Sequence, residues 1–233
     1  MPRSVKKGSL SAFEKSSECS TSASTNNTQE FGFSVALSGD GSTLAVGAPG
    51  DWSKATGIES EIPKAGEGIG TDFNLPKDFV ANQGDSNAYG STYIYTSNGD
   101  TWTRQAYIKA SNAKLSYQCG GALTLSHNGN ILAVSSLVES SRAKGINGNE
   151  ADTGAFYSGA AYLFIRDNAI WKQKSYIKSP NSESQDRFSR ALGLDASGES
   201  LIISAYKEAS NANNINGNQS NNEASASGAV YIY

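Results

Sequence analysis

FGFSVALSGDGSTLAVGAP, at residues 31–49, carries the pattern on which the rest of the chain is built. Its first half alternates apolar side chains with small ones, at Phe31, Phe33, Val35 and Leu37. This period of two is typical of a half-buried strand. The Ser-Gly-Asp-Gly stretch that follows suits a tight turn, and Leu44-Ala45-Val46 runs back as a second strand. The sequence therefore predicts a β-hairpin here.

The same pattern returns twice, as YQCGGALTLSHNGNILAVSS at residues 117–136 and as RFSRALGLDASGESLIISAY at residues 187–206. The equivalent first positions, 88 and 69 residues apart, are Phe31, Cys119 and Phe188. A second block also recurs, and its equivalent first positions, 69 residues apart, are Gly90, Gly159 and Gly228. The chain is therefore three copies of one unit, the first with an insertion of 19 residues.

Composition favours strands and turns over helices. The 233 residues include 24 Gly but one Met and one His, with many Ser and Asn. The net charge of −3 does not indicate a basic surface for binding nucleic acid. The sequence has no run of about 18 apolar residues, so no membrane-spanning segment is expected. No signal peptide is visible at the N-terminus.

Each full repeat predicts four antiparallel strands joined by turns. The predicted strands are 31–37, 43–48, 91–96 and 101–109; then 120–125, 131–135, 160–165 and 170–178; then 189–194, 200–205 and 229–233. Four-stranded meanders repeated around an axis form a β-propeller. The expected fold class is all-β, with about three propeller blades at residues 30–112, 113–181 and 182–233, the last blade lacking its fourth strand.

The sequence resembles the FG-GAP repeat family, bacterial relatives of the integrin α-chain propeller. The two halves of that motif are Phe31-Gly32 and Gly47-Ala48-Pro49. Later pieces, Lys144 to Asn149 and Ser158-Gly159-Ala160, resemble the bacterial subgroup. The likeness covers about residues 23–233 and weakens in the later copies, where Cys119-Gly120 keeps only the Gly and Phe188-Ser189 only the Phe.

The resemblance implies six or seven blades, and fewer than four blades cannot close a ring without open edge strands. The chain is then a piece of a longer protein, an open arc, or one of several copies that complete a ring as a homo-oligomer. The polar segment at residues 1–29 is interpreted either as a loose tail or, at residues 13–22, as a degraded outer strand that pairs with another blade.

The long connections between second and third strands form the natural binding surface. Three carboxylates are equivalent there: Asp51, Glu139 and Glu208. Four amides match downstream: Asn147, Asn149, Asn216 and Asn218. Such oxygen-rich loops suit calcium. The alternative interpretation is that these residues form turns. Integrin repeats have a calcium loop between the first two strands. We do not expect it here, because the equivalent turn, Ser38-Gly39-Asp40-Gly41-Ser42, is short and has one carboxylate.

Other chemistry finds little support in the sequence. His127, the one histidine, is predicted in a hairpin turn, and Cys119 is predicted as a buried free thiol rather than a disulfide partner of Cys19. The insertion, at about residues 59–81, has enough apolar side chains to pack on the propeller or to contact a partner. No catalytic set is visible apart from the three loop carboxylates, which could in principle serve glycoside hydrolysis.

Two function classes follow. The first is a non-enzymatic extracellular or cell-surface module of the adhesion type, which presents long Asn-rich and Ser-rich loops to a protein or glycan. The second is a carbohydrate-active hydrolase or lyase that uses the loop carboxylates. A structural repeat segment of a larger surface protein is the plainest alternative.

Overall fold

The computed structural model describes residues 30–54, 56–59 and 88–233, and every regular element in them is a β-strand. The first repeat holds β1 (Ser34–Leu37), β2 (Thr43–Ala48), β3 (Ile58–Glu59), β4 (Ser91–Ser97) and β5 (Trp102–Ile108). The second holds β6 (Leu123–Leu125), β7 (Ile131–Ser136), β8 (Ala160–Asp167) and β9 (Ile170–Ile177). The third holds β10 (Phe188–Leu194), β11 (Leu201–Ala205) and β12 (Ala229–Ile232). The all-β prediction is confirmed. The predictions for residues 1–29 and 60–81 lie outside the described residues.

The strands form three antiparallel sheets, one from each repeat. We call them the first sheet (β1-β2-β4-β5-β3), the second sheet (β6-β7-β8-β9) and the third sheet (β10-β11-β12). The opening hairpin keeps one register in all three, with the cross-strand pairs Leu37 with Leu44, Leu125 with Leu132 and Leu194 with Leu201. The repeats therefore fold as equivalent meanders.

Two opening strands begin three residues later than the sequence predicts, at Ser34 and Leu123. Gly32 has a φ of +90° and Gly120 a φ of +100°. These values lie outside the β region, so the backbone turns before each strand begins.

The short strand β3 was not predicted. Ile58 pairs with Ile108, and the same contact recurs in the second sheet as a bridge between Ile146 and Ile177. Gly57 and Gly145 precede these isoleucines, each with a positive φ. The two repeats therefore match as far as Ile58, and the insertion begins after it.

Consecutive sheets pack face to face. The opening strand of the following sheet makes each junction: β6 packs on β1 and β2, and β10 packs on β6, β7 and β8. At the second junction, Leu192 and Leu194 pack in one apolar cluster with Ala133, Ala161 and Leu163. We call the surface that meets the following sheet the back face, and the surface that meets the preceding sheet the front face.

A glycine lets the two backbones approach at each junction. Gly90 and Gly159 both have a positive φ, and a Cβ atom added to them would overlap the backbone of Cys119 and of Phe188, respectively. Only glycine fits both the φ and the space. The recurring glycine of the second block is therefore a packing requirement between sheets.

The two ends of the molecule differ. At one end, the linkers between sheets meet the long connections: Lys114 Nζ donates to the Ala151 carbonyl at 3.0 Å. At the other end lie the short turns, where the His127 carbonyl accepts from the Asp40 N–H at 3.0 Å and its N–H donates to the Ala196 carbonyl at 2.9 Å. His127 is an exposed turn residue, as predicted. We call the first end the long-loop end.

Candidate functional site

The three equivalent carboxylates are buried just inside the long-loop end. In the second sheet, Glu139 Oε2 accepts from Lys178 Nζ at 2.7 Å, and both side chains are fully buried. Glu139 Oε1 accepts from the Ser141 N–H at 3.1 Å and from Asn112 Nδ2 at 3.4 Å. Lys178 Nζ also donates to Ser158 Oγ at 2.6 Å. Each carboxylate oxygen is therefore already hydrogen-bonded within the protein.

The first sheet builds the same arrangement around Asp51. Its Oδ2 accepts from Ser91 Oγ at 2.7 Å and from the Tyr107 hydroxyl at 2.8 Å. Lys109 Nζ lies 3.6 Å from Asp51 Oδ1 and donates to the Ser53 carbonyl at 2.5 Å. Burial, and next the charge of Asp51, raises the pKa of Tyr107 far above its usual value, so the hydroxyl stays a donor at neutral pH.

The third sheet keeps the carboxylate but not the cation. Glu208 Oε1 accepts from Asn181 Nδ2 at 2.8 Å, and its Oε2 accepts from Ser210 Oγ at 2.9 Å. Within the described part of the chain, no lysine or arginine lies within ion-pair distance of Glu208. In the first two sheets the lysine comes directly after the fourth meander strand, β5 or β9, and the third sheet has three strands among the described residues.

Asparagines in the linkers connect each sheet to the next network. Asn112 follows β5 of the first sheet, and its Oδ1 accepts from the Tyr162 hydroxyl of the second sheet at 2.5 Å. Asn181 follows β9 and accepts from the Tyr231 hydroxyl of the third sheet at 2.7 Å. Since Asn112 also donates to Glu139 and Asn181 to Glu208, these two buried carboxylates are held by the preceding sheet as well as by their own.

Three of the four loop amides predicted as calcium ligands accept hydrogen bonds from backbone N–H groups, two of them in local turns. Asn147 Oδ1 accepts from the Tyr176 N–H at 3.0 Å, Asn149 Oδ1 from the Ala151 N–H at 3.1 Å, and Asn218 Oδ1 from the Ser220 N–H at 2.9 Å. Asn147 and Asn216 both have a φ of 56°, a left-handed conformation that Asn tolerates. Among the described residues, no group of three or more His, Cys, Asp or Glu is arranged to hold a metal ion. A calcium site stays a prediction from sequence.

An aromatic patch, which sequence reasoning missed, lies at the long-loop end where the second and third sheets meet. The rings of Phe156 and Tyr157 stack with centroids 3.6 Å apart, and the Arg187 guanidinium lies 4.1 Å from the Tyr157 ring centroid. Phe156 is exposed. Tyr157 and Arg187 have φ values of 60° and 56°, which are uncommon for these residues. We call Phe156, Tyr157 and Arg187 the aromatic patch.

Exposed isoleucines add apolar area to the same end. Ile146 and Ile215 occupy equivalent positions in the long connections, and Ile215 is 93% exposed. Each precedes the sequence Asn-Gly-Asn. Ile146 forms a backbone bridge with Ile177, and Ile215 lies inside a turn in which the Gly217 N–H donates to the Asn214 carbonyl at 3.2 Å.

Asp186 is the one buried carboxyl in the described residues whose pKa is clearly raised, to about 6. Burial is the main cause; the Glu183 N–H, which donates to Asp186 Oδ2 at 2.7 Å, opposes it, and the charges of Glu183 and Glu208 add to it. Cys119 is a fully buried free thiol, as predicted, and burial raises its pKa to about 12. These groups are therefore protonated over a wider pH range than in water.

The raised pKa of Asp186 predicts a pH effect on stability. Because the pKa of about 6 in the folded protein exceeds the ordinary aspartate pKa of 3.8, the folded protein holds this proton more tightly than the unfolded chain does. The free energy of unfolding should then fall as the pH rises from about 4 to about 6. Urea titrations of the wild type and of Asp186→Asn should show this slope reduced in the variant. Identical slopes would contradict the assignment.

Comparison with known proteins assigns no relationship. The sequence matches no family model and no curated protein. Among solved structures, the crystal structure of the Saccharomyces cerevisiae Sqt1 is similar with a TM-score of 0.37 and 8% identity, over 78% of this chain and 31% of that one. This chain thus spans about a third of the length of Sqt1. Likeness at this level identifies neither family nor function.

No helix in the described residues is long and apolar enough to cross a membrane.

Proposed function

We propose that this chain is a non-enzymatic binding module, extracellular or at the cell surface, that presents its long-loop end to a protein or glycan. We also infer that its three sheets are consecutive blades of a partial β-propeller of the FG-GAP type. The recurrence of one sheet-to-sheet junction supports the propeller, because radial repetition needs the same contact at every step.

The aromatic patch is the observation that carries the binding proposal. Stacked aromatic rings beside a cation offer an apolar surface with a polar edge, which suits a sugar ring or an aromatic-rich peptide. Aromatic and arginine side chains are also enriched where proteins bind other proteins.

The carboxylates support binding over hydrolysis. A glycoside hydrolase needs two carboxyl groups that reach the substrate. Asp51, Glu139 and Glu208 are instead buried and hydrogen-bonded to their own sheets, two of them beside a lysine. These contacts fit a structural role.

The test is a binding screen on arrays of glycans and of extracellular proteins. Phe156→Ala should weaken binding of any ligand found by at least about tenfold, through loss of apolar and stacking contacts. His127→Ala, at the opposite end, is the matched control and should bind as the wild type does. Equal binding by Phe156→Ala, or turnover of a polysaccharide by the wild type, would contradict the proposal.

A further inference from the structure

The back face of the third sheet is apolar and exposed. Val230 is 67% exposed and Ile232 is 75% exposed, and Ile202 lies beside them on β11. Their equivalents in the second sheet are Ala133, Ala161 and Leu163, which pack under β10. The same surface is therefore a junction in the second sheet and uncovered in the third, as far as the described residues show.

Gly228 marks the same vacant junction. It has a φ of +80°, close to the +78° of Gly90 and the +83° of Gly159. A Cβ atom at Gly90 or Gly159 would overlap the backbone of the following sheet, whereas at Gly228 the nearest atom is the Tyr206 carbonyl oxygen, 3.5 Å away. The third sheet thus keeps the backbone geometry for a close neighbour that the described residues do not supply.

The complementary surface is exposed on β1 of the same chain. Val35 and Leu37 are 65% and 59% exposed. Their equivalents on the opening strands of the other sheets pack against the preceding sheet: Leu123 and Leu125, and Leu192 and Leu194. An opening strand is the element that makes both internal junctions. On the same face of the first sheet, Leu44, Val46, Tyr93 and Tyr95 are already buried. The exposed part is therefore β1, which corresponds to the opening strands that make both internal junctions.

We propose that the back face of the third sheet binds β1 of a second copy of this chain, head to tail. Two copies joined in this way have two identical junctions and six sheets. Six lies within the four to eight blades of known propellers, and a head-to-tail interface gives a closed ring when the rotation between copies closes. The inference rests on the proposed blade arrangement but not on the proposed ligand.

The mass of the full chain in solution tests this assembly. Light scattering coupled to size exclusion should give twice the chain mass of 24.4 kDa. Val230→Asp on the back face, and separately Val35→Asp on β1, should each shift the protein to the single-chain mass. Ile170 is an exposed isoleucine of the second sheet and belongs to neither proposed surface, so Ile170→Asp should have the same mass in solution as the wild type.

Mixing the two variants distinguishes head-to-tail contact from other dimers. Val35→Asp retains an intact back face and Val230→Asp retains an intact β1, so the mixture has one complete junction and should recover two-copy particles. Gly228→Ala should also weaken the assembly, by at least about tenfold in the dissociation constant, since overlap costs more than about 1.4 kcal/mol. Circular dichroism checks that each variant is folded.

A single-chain mass for the wild type over the micromolar range would overturn the proposal. So would a two-copy mass for Val230→Asp, or a mixture that stays at the single-chain mass. Ligand binding is measured in a separate experiment. Loss of binding in Phe156→Ala with an unchanged mass tests the aromatic patch, whereas a change in mass with intact binding tests the junction between copies.

Discussion

Replacing Lys178 by methionine should lower the free energy of unfolding by about 3–5 kcal/mol, because Glu139 would remain as a buried charge with no cation. The pair is fully buried, and Lys178 Nζ lies 2.7 Å from Glu139 Oε2. Burial lowers the pKa of Lys178 and the charge of Glu139 opposes that shift, so the lysine depends on its partner. Urea unfolding followed by tryptophan fluorescence measures the change.

The surface pair Arg142 and Asp152 is the matched control for Lys178. It lies at 2.8 Å, with the arginine side chain mostly exposed. Since water screens such a pair, Arg142→Met should cost at most about 1 kcal/mol. If the two substitutions cost the same, the buried network does not stabilise the second sheet in the way described.

Replacing Gly159 by alanine should destabilise the protein more than replacing Gly228. Both glycines have φ values near +80°, so alanine costs about 1–2 kcal/mol at either position. At Gly159 the new Cβ would also overlap the backbone of Phe188, which adds about 1–3 kcal/mol or more. Thermal unfolding at a concentration where the chain is monomeric compares the two.

Gly90→Ala gives an internal replicate of the glycine comparison, since its Cβ would overlap the backbone of Cys119. We expect it to resemble Gly159→Ala. Equal losses at Gly159 and Gly228 would mean that backbone conformation alone requires glycine, and that the sheets do not approach each other at these positions.

Much of the fold could be predicted because the three repeats can be aligned and compared with one another. Alternating apolar residues and turn residues recur in one order, and a tertiary contact that every copy needs leaves the same residue in every copy. Gly90, Gly159 and Gly228 are an example. The strand β3 was missed because two residues, Ile58 and Glu59, are too short to show a period.

The site was predicted less well. The sequence shows that Asp51, Glu139 and Glu208 are equivalent. It does not show that these side chains are buried, because a charged residue in a loop is usually exposed. The missed signal was the lysine in Tyr-Ile-Lys, present in the first two repeats at Lys109 and Lys178. A lysine that recurs beside apolar strand residues indicates a buried cation that needs a partner.

The aromatic patch could not be found by comparing repeats. Phe156 and Tyr157 correspond to Ser225 and Ala226 in the third repeat, so no recurrence marks them. The contact between Tyr157 and Arg187 joins residues 30 positions apart in the chain. Residues that serve the fold recur, whereas residues that serve a ligand need to occur only once.

The most direct test of the central claim, that the buried pair of Glu139 and Lys178 stabilises the second sheet, is a double-mutant cycle. It compares Lys178→Met, Glu139→Gln and the double variant by urea unfolding. We predict a coupling energy of about 2–3 kcal/mol, near the upper end for contacting residues. A coupling energy within about 0.5 kcal/mol of zero would show that the two side chains act independently, and would contradict the account.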